Sequence, residues 1–188
     1  MTWLVFGIAL WSIVHLLPVL ARTFRQSLID RLGRGPFRGV VSLLIIAALA
    51  LIVIGWRSAP QEYVYVLPAW SRPAGFALMI LAFALFGATH YKTAIKRVVR
   101  HPMLMSVVVW SIAHLLTNGT TRAIVLFGGL GIWALLEIVL INAREGAYNK
   151  PEAPGLAREL RGLTISAVIF AIALFLHPYF AGVAVVSW

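Results

Sequence analysis

Residues 100–119 read RHPMLMSVVVWSIAHLLTNG, and this stretch decides the class of fold. From Pro102 to Thr117 it carries no Asp, Glu, Lys or Arg, and a proline is tolerated in the first turn of a helix. Asn118-Gly119 predicts a tight turn directly after it. The stretch therefore predicts a short membrane-spanning helix that holds one ionisable side chain, His114, inside the bilayer.

The whole composition agrees with a membrane protein. The chain has 188 residues, 61% of them apolar and 12% charged, whereas a soluble domain is nearer a quarter charged. The formal charge of +10 comes from short basic clusters between apolar runs, which is typical of membrane-protein loops and not of a nucleic-acid-binding domain. We expect membrane lipid, and no nucleic acid, as a partner. The absence of cysteine excludes disulfides, iron–sulfur clusters and thiolate-ligated haem.

Six apolar segments are close to the length that a spanning helix needs. They are Trp3–Leu20, Val40–Trp56, Pro73–His90, Pro102–Thr117, Ala123–Asn142 and Leu163–Phe180. The first has no basic residue ahead of it and no signal-peptide cleavage pattern, so it is expected to be a retained helix. The sequence predicts an all-α, polytopic transmembrane bundle of about six helices that forms a single integral membrane domain over residues 1–188.

The basic residues predict the orientation of this bundle. Thirteen of the 16 fall in the first, third and fifth loops, and the other side has only Arg57, Arg72 and Arg122. By the positive-inside rule the odd loops are cytoplasmic and both termini are non-cytoplasmic. Four tryptophans fall at the non-cytoplasmic interface, where an aromatic belt belongs: Trp3, Trp56, Trp70 and Trp188.

Two of the five histidines, His15 and His114, lie well inside apolar segments. Their surroundings are similar, WSIVHLL at 11–17 and WSIAHLL at 110–116, so Trp11 and Trp110 each precede a histidine by one helical turn. Such a face is suited to a flat aromatic ligand, and neutral imidazole is the commonest metal ligand. A histidine inside the membrane could bind a haem iron, or it could form a hydrogen bond to a neighbouring helix, and both explanations stay open. Helix geometry separates the two histidines by roughly 14 Å along the membrane normal.

Other polar residues offer supporting roles. Glu137 is the acidic residue inside an apolar segment, where it could orient a ligand histidine or pair with a basic side chain. The cluster of Lys92, Lys96, Arg97 and Arg100 could set topology, bind anionic lipid or hold a haem propionate. His90 and His101 lie at the same cytoplasmic boundary.

The first-helix histidine, residues 100–119 and the following TRAIVLFGGLGIWALLE together resemble the NnrU family of bacterial membrane proteins. The resemblance implies a location in the bacterial inner membrane and a link to denitrification and nitric oxide metabolism. A plant relative, 15-cis-ζ-carotene isomerase, holds haem b in the membrane. The resemblance therefore implies haem b, a redox or isomerase role, and nitric oxide or a small apolar substrate as a further partner.

The same resemblance implies which residues would hold the haem. His15 and His114 would be its axial ligands. From the residues themselves, Trp11 and Trp110 would then lie beside the haem, and Arg97 and Arg100 could bind its propionates. His90 and His101 match further family histidines and are alternative ligands.

Arg100-His101-Pro102 also resembles membrane methyltransferases of the isoprenylcysteine carboxyl type, which use S-adenosylmethionine. Their pattern continues with Tyr and Gly, whereas Met103, Leu104 and Met105 follow here. This activity is the second candidate, and a transport or structural role is the third. The sequence leaves the oligomeric state open.

Overall fold

The computed structural model describes residues 1–183 and residue 185, and it is helical almost throughout. Its helices are α1 (Thr2–Leu20), α2 (Arg22–Leu32), α3 (Arg34–Ser58), α4 (Ser71–Ala88), α5 (Ile95–Val98), α6 (Pro102–Thr117), α7 (Thr121–Ala123), α8 (Gly129–Glu145) and α9 (Leu156–Ala181). A π-helical segment, Ile124–Gly128, joins α7 to α8, so that residues 121–145 form one continuous rod.

The prediction of an all-α membrane bundle is confirmed. Five helices are long and apolar enough to cross a membrane, and α6 is a shorter apolar helix between them. The predicted bounds were too narrow for two helices: α3 begins at Arg34 and α9 at Leu156. In both cases the first helical turns contain charged residues, so a prediction based on apolar runs placed the start of the helix too late in the sequence.

The polar helix α2 was not predicted. It connects α1 to α3 and has no buried residue, and its apolar positions, among them Phe24, Leu28 and Leu32, are too few to form a spanning run. Gly33 ends it with φ of +85°, a backbone conformation that favours glycine. This glycine lets the chain reverse between α2 and α3.

Small residues hold the spanning helices close together. A Cβ on Gly55 of α3 would lie 2.2 Å from the backbone nitrogen of Leu4, and one on Gly7 of α1 would lie 2.7 Å from that of Ile52. Gly75 of α4 similarly meets Thr117 of α6. Close backbone approach at small residues is a usual source of helix association in membranes, where water contributes little.

The rod of residues 121–145 stands between the helices that carry the two intramembrane histidines. It packs against α1 on one side and α6 on the other, while α3 covers α1 and α4 covers α6. The last helix, α9, lies on the outer side of α4. Any group held between α1 and α6 must therefore contact this rod.

One loop closes the end of the bundle at which α3 ends and α4 begins. The backbone N–H of Val64 donates to Gly119 at 2.8 Å, and that of Thr121 donates to Glu62 at 2.9 Å. The Tyr65 hydroxyl donates to the carbonyl oxygens of Leu115 and Asn118. These bonds satisfy carbonyl groups that the end of α6 would otherwise leave without partners.

Candidate functional site

His15 lies in a cluster of three rings contributed by α1 and α8. Trp11 stacks on its imidazole with centroids 4.1 Å apart and planes 27° apart, and Trp133 meets the imidazole edge-on at 5.2 Å. Trp133 also meets Trp11 edge-on at 5.7 Å. The Nδ1–H group donates to the Trp11 carbonyl oxygen at 2.8 Å. Because this acceptor requires a proton on Nδ1, the lone pair of the neutral ring is on Nε2.

His114 repeats this local geometry on α6. Its Nδ1–H donates to the Trp110 carbonyl oxygen at 2.9 Å, and the Trp110 ring lies 4.9 Å away. Phe127 stacks on the imidazole at 4.4 Å with planes 21° apart, and its ring also meets Trp110 at 4.8 Å. Here too Nε2 is the nitrogen that carries the lone pair.

The shared geometry follows from the shared sequence. Long side chains in a helix lean toward the N-terminus, so a histidine reaches the carbonyl group of the residue four positions earlier. A tryptophan at that position then covers the imidazole from the same face. The match between WSIVHLL and WSIAHLL is therefore repeated as a three-dimensional unit, which we call the Trp–His pair: Trp11 with His15, and Trp110 with His114.

The two Trp–His pairs are not in contact with each other. His15 packs on Trp133, whereas His114 packs on Phe127, six residues earlier on the same rod. This spacing corresponds to a rise of about 9 Å along a helix. Among the residues that the structure describes, no ring contact joins His15 to His114, so each histidine belongs to its own aromatic cluster.

Several buried polar atoms of α1 and α8 have no hydrogen-bond partner among the described residues. They are the indole N–H groups of Trp11 and Trp133 and one carboxylate oxygen of Glu137. Glu137 lies one turn after Trp133 on the same face of α8. Unpaired polar groups are costly in hydrocarbon surroundings, so this cluster is suited to a polar ligand atom or water.

Glu137 does not act as the acceptor for either histidine, because backbone carbonyl oxygens of Trp11 and Trp110 fill that position. Within the described part of the chain, Glu137 also forms no salt bridge.

The donor set fits a haem iron better than a metal ion held by protein ligands alone. In the described residues, no three His, Cys, Asp or Glu side chains come together as a metal site. A haem brings four nitrogen ligands of its own and needs only one or two from the protein. Each Trp–His pair offers one neutral imidazole nitrogen in aromatic surroundings.

The other predicted site residues lie near the N-terminal end of α6. Arg100 donates to a Glu145 carboxylate oxygen at 2.9 Å and to the Gly146 carbonyl oxygen at 2.6 Å. Its guanidinium carbon lies 5.3 Å from the ring centroid of Tyr148. His101 Nε2 is hydrogen-bonded to the Asn142 side chain at 2.9 Å. Arg100 and His101 therefore join α6 to the end of α8.

Arg97 and His90 are exposed at the same end. The His90 ring meets Phe86 at 5.4 Å. The structure brings neither of these residues into the aromatic clusters of His15 and His114.

The sequence argument missed Phe127 and Trp133, the two residues of the rod that complete the aromatic clusters. Both lie in residues 121–137, the second part of the family resemblance, so a signal was present. The π-helical turn that contains Phe127 could not be read from apolar periodicity. Single π turns inside helices are frequent at functional sites because they change which side chains share a face.

These features define an α-helical integral membrane protein with two Trp–His pairs packed against one central rod. The family model described as NnrU protein matches residues 3–185, and the chain belongs to this family. The matched range includes both Trp–His pairs, Phe127 and Trp133. Comparison with curated proteins and with solved structures gives no match.

Proposed function

We propose that this protein binds haem b within the membrane, with His15 and His114 as its candidate iron ligands. The observation that carries the proposal is the repeated Trp–His pair, in which a backbone carbonyl accepts the Nδ1 proton of each imidazole. A hydrogen bond of this kind fixes the tautomer and the ring orientation of a metal-ligating histidine. It leaves Nε2, the nitrogen that would bind iron, with its lone pair.

The surroundings of His15 support the same proposal. The rings of Trp11 and Trp133 restrict the imidazole, and their unpaired N–H groups, with Glu137, supply polar atoms for a bound molecule. For His114 the corresponding ring is Phe127. These side chains would position and shield a haem in an environment that contains little water, which strongly influences its reduction potential.

Bound haem would supply an iron centre able to exchange electrons or to bind a diatomic gas or an olefin. We propose a redox or isomerase role on this basis, and the connection to nitric oxide and denitrification rests on the family alone. The separation of the two clusters allows two stoichiometries: one haem that both histidines reach after a rearrangement, or one haem for each histidine.

A measurement of haem content tests the proposal directly. The protein is produced with an adequate supply of haem, purified in detergent, and analysed by pyridine haemochrome assay against protein concentration. We expect a haem b signal at a ratio of one or two per chain, and the ratio distinguishes the two stoichiometries. Folded, monodisperse protein without haem would overturn the proposal.

The methyltransferase alternative gains no particular support from the structure. In the Arg-His-Pro triplet at residues 100–102, Arg100 is hydrogen-bonded to Glu145 and His101 is hydrogen-bonded to Asn142. Retention of S-adenosylmethionine by the purified protein, with no haem, would make this alternative the better one.

A further inference from the structure

Arg122 is a buried cation whose contacts within the described part of the chain are with neutral groups. Its side chain is at the start of the central rod, and the residue is only 8% exposed. Nη1 donates to the Trp56 carbonyl oxygen at 3.1 Å, and the guanidinium carbon lies 4.2 Å from the Trp56 ring centroid. With the Gln61 amide oriented to suit this neighbour, its oxygen accepts from Nη2 at 2.6 Å and from Nη1 at 3.1 Å.

Among the residues that the structure describes, no carboxylate forms an ion pair with Arg122. The salt bridges in the described ranges involve only Glu145, at the opposite end of the rod. Glu62, the nearest acidic residue in the sequence of the adjoining loop, offers its backbone carbonyl to Thr121 instead. A buried charge that has no counter-charge is strongly unfavourable. We therefore expect a negatively charged group to bind at this site.

The unused donors of Arg122 lie along one edge of the guanidinium group. A guanidinium has five N–H donors, and the contacts with Trp56 and Gln61 occupy both donors of Nη1 and one of Nη2. The Nε–H group is buried and has no partner. The remaining Nε–H and Nη2–H groups form the parallel pair that binds two oxygens of a carboxylate or phosphate.

Arg122 also lines a cavity at this end of the bundle. Its volume is about 370 Å³, and Arg122, Arg57, Gln61 and Tyr179 line it together with Trp56 and residues 181–183. Among the described residues, the lining has two arginines and no acidic side chain. One water occupies about 30 Å³, so the cavity has room for an anion of several atoms.

We propose that this cavity is an oxyanion site, in which the guanidinium group of Arg122 binds a phosphate or carboxylate group and Arg57 adds a second positive charge. The oxyanion can be free in solution or can be the headgroup of an anionic lipid, since the recognition chemistry is the same. This site is at the end of the bundle that the positive-inside rule assigns to the non-cytoplasmic side, and it does not depend on haem binding.

The test uses the full chain in nanodiscs. In neutral phosphatidylcholine discs, inorganic phosphate and acetate are titrated at constant ionic strength against chloride, with calorimetry as the readout. In a second arm, native mass spectrometry measures retention of phosphatidylglycerol. Saturable binding of phosphate or acetate indicates a free oxyanion, and selective retention of phosphatidylglycerol indicates a lipid headgroup. Binding in neither arm would overturn the proposal.

Variants connect the binding to this cavity. Arg57 is exposed, so Arg57→Gln should fold, and loss of one charge-assisted contact should weaken binding roughly tenfold. Arg122→Lys keeps the charge but removes the paired donors, and it should weaken binding at least as much. Arg72→Gln, at an exposed arginine on the same side, is the matched control and should bind as the wild type does. Equal losses in Arg57→Gln and Arg72→Gln would contradict a specific site.

Discussion

The imidazole of His114 lies nearly flat on the ring of Phe127, with centroids 4.4 Å apart and planes 21° apart. Phe127 belongs to the π-helical turn of the rod, and it also contacts Trp110 and Trp56 through its ring. One buried phenylalanine therefore joins the histidine of α6, its paired tryptophan and the end of α3. This makes Phe127 the packing centre of the His114 cluster.

Phe127→Leu should lower the stability of the bundle by about 1–3 kcal/mol, because a buried aromatic ring is replaced by a smaller side chain that leaves a cavity. Thermal unfolding in detergent, followed by circular dichroism, measures the effect. Phe175→Leu, on the exposed surface of α9, is the matched control and should unfold close to the wild-type temperature. Equal effects of the two substitutions would contradict the central position of Phe127.

Gly55→Ala should destabilise the protein strongly. The added Cβ would lie 2.2 Å from the Leu4 nitrogen, so α1 and α3 would have to separate. We expect a loss of at least about 1–3 kcal/mol, the usual cost of overpacking. Gly39→Ala in the same helix is the control, since a Cβ there meets nothing within 4 Å. That variant should keep or slightly raise the unfolding temperature, because alanine favours the helix. The reverse order would show that α1 and α3 do not pack as described.

The sequence predicted the parts of the fold that depend on apolar length, and it predicted both Trp–His pairs. The five long apolar helices, the short helix α6 and the positions of His15 and His114 all follow from local composition. The residues that complete the aromatic clusters, Phe127 and Trp133, depend on which face of the rod meets α1 and α6. That face is set by the π-helical turn and by glycine contacts between helices, and neither leaves a periodic signal in the sequence.

Arg122 illustrates the same limit at the level of charge. As a loop residue it counts toward the topology rule, and nothing in its local sequence distinguishes it from Arg57 or Arg72. Only the tertiary structure places it beside Trp56 and Gln61, where it is buried and forms no ion pair with a carboxylate of the described residues.

Tyr65→Phe should weaken the loop that closes the end of α6. The hydroxyl donates to the Leu115 and Asn118 carbonyl oxygens, and its loss should cost about 0.5–1.5 kcal/mol near neutral pH. Burial raises the pKa of the Tyr65 phenol above the ordinary value for tyrosine. Its stabilising effect is therefore fully present below about pH 10 and is lost as the pH rises through the raised value.

Thermal unfolding between neutral pH and alkaline pH measures both effects. The difference between wild type and Tyr65→Phe should shrink at the alkaline end, because the wild type loses the same bonds on ionisation. Tyr63→Phe is the control, since Tyr63 is exposed and contacts Thr120 through its backbone. A constant difference across the range would contradict the role of the neutral hydroxyl.

Both termini should face the non-cytoplasmic side. The start of α1 packs on Gly55 at the end of α3, and Tyr179 and residues 181–183 share a cavity with Trp56, so the start of α1 and the end of α9 are at the same end of the bundle. The basic residues assign that end to the non-cytoplasmic side. Alkaline phosphatase fusions at each terminus should be active, and a fluorescent protein fused within residues 146–155 should fold in the cytoplasm. Opposite results for the two termini would mean that the chain crosses the membrane one time fewer than the six apolar helices imply.

His15→Ala and His114→Ala should each lose most of the bound haem or shift it from a six-coordinate, low-spin spectrum to a high-spin one, because an axial imidazole is removed. His90→Ala is the control, since His90 is exposed at the cytoplasmic end. Absorption and electron paramagnetic resonance spectra of the purified variants provide the measurement.

His101→Ala decides between the possible ligand pairs. Its ring is hydrogen-bonded to Asn142, so it would have to break that bond to reach an iron, and we expect its removal to leave the haem spectrum unchanged. Asn142→Ala should likewise leave it unchanged. If His101→Ala abolishes the low-spin signal while His114→Ala preserves it, the ligand pair lies at the cytoplasmic boundary. The similarity of the two Trp–His pairs would then reflect helix packing alone.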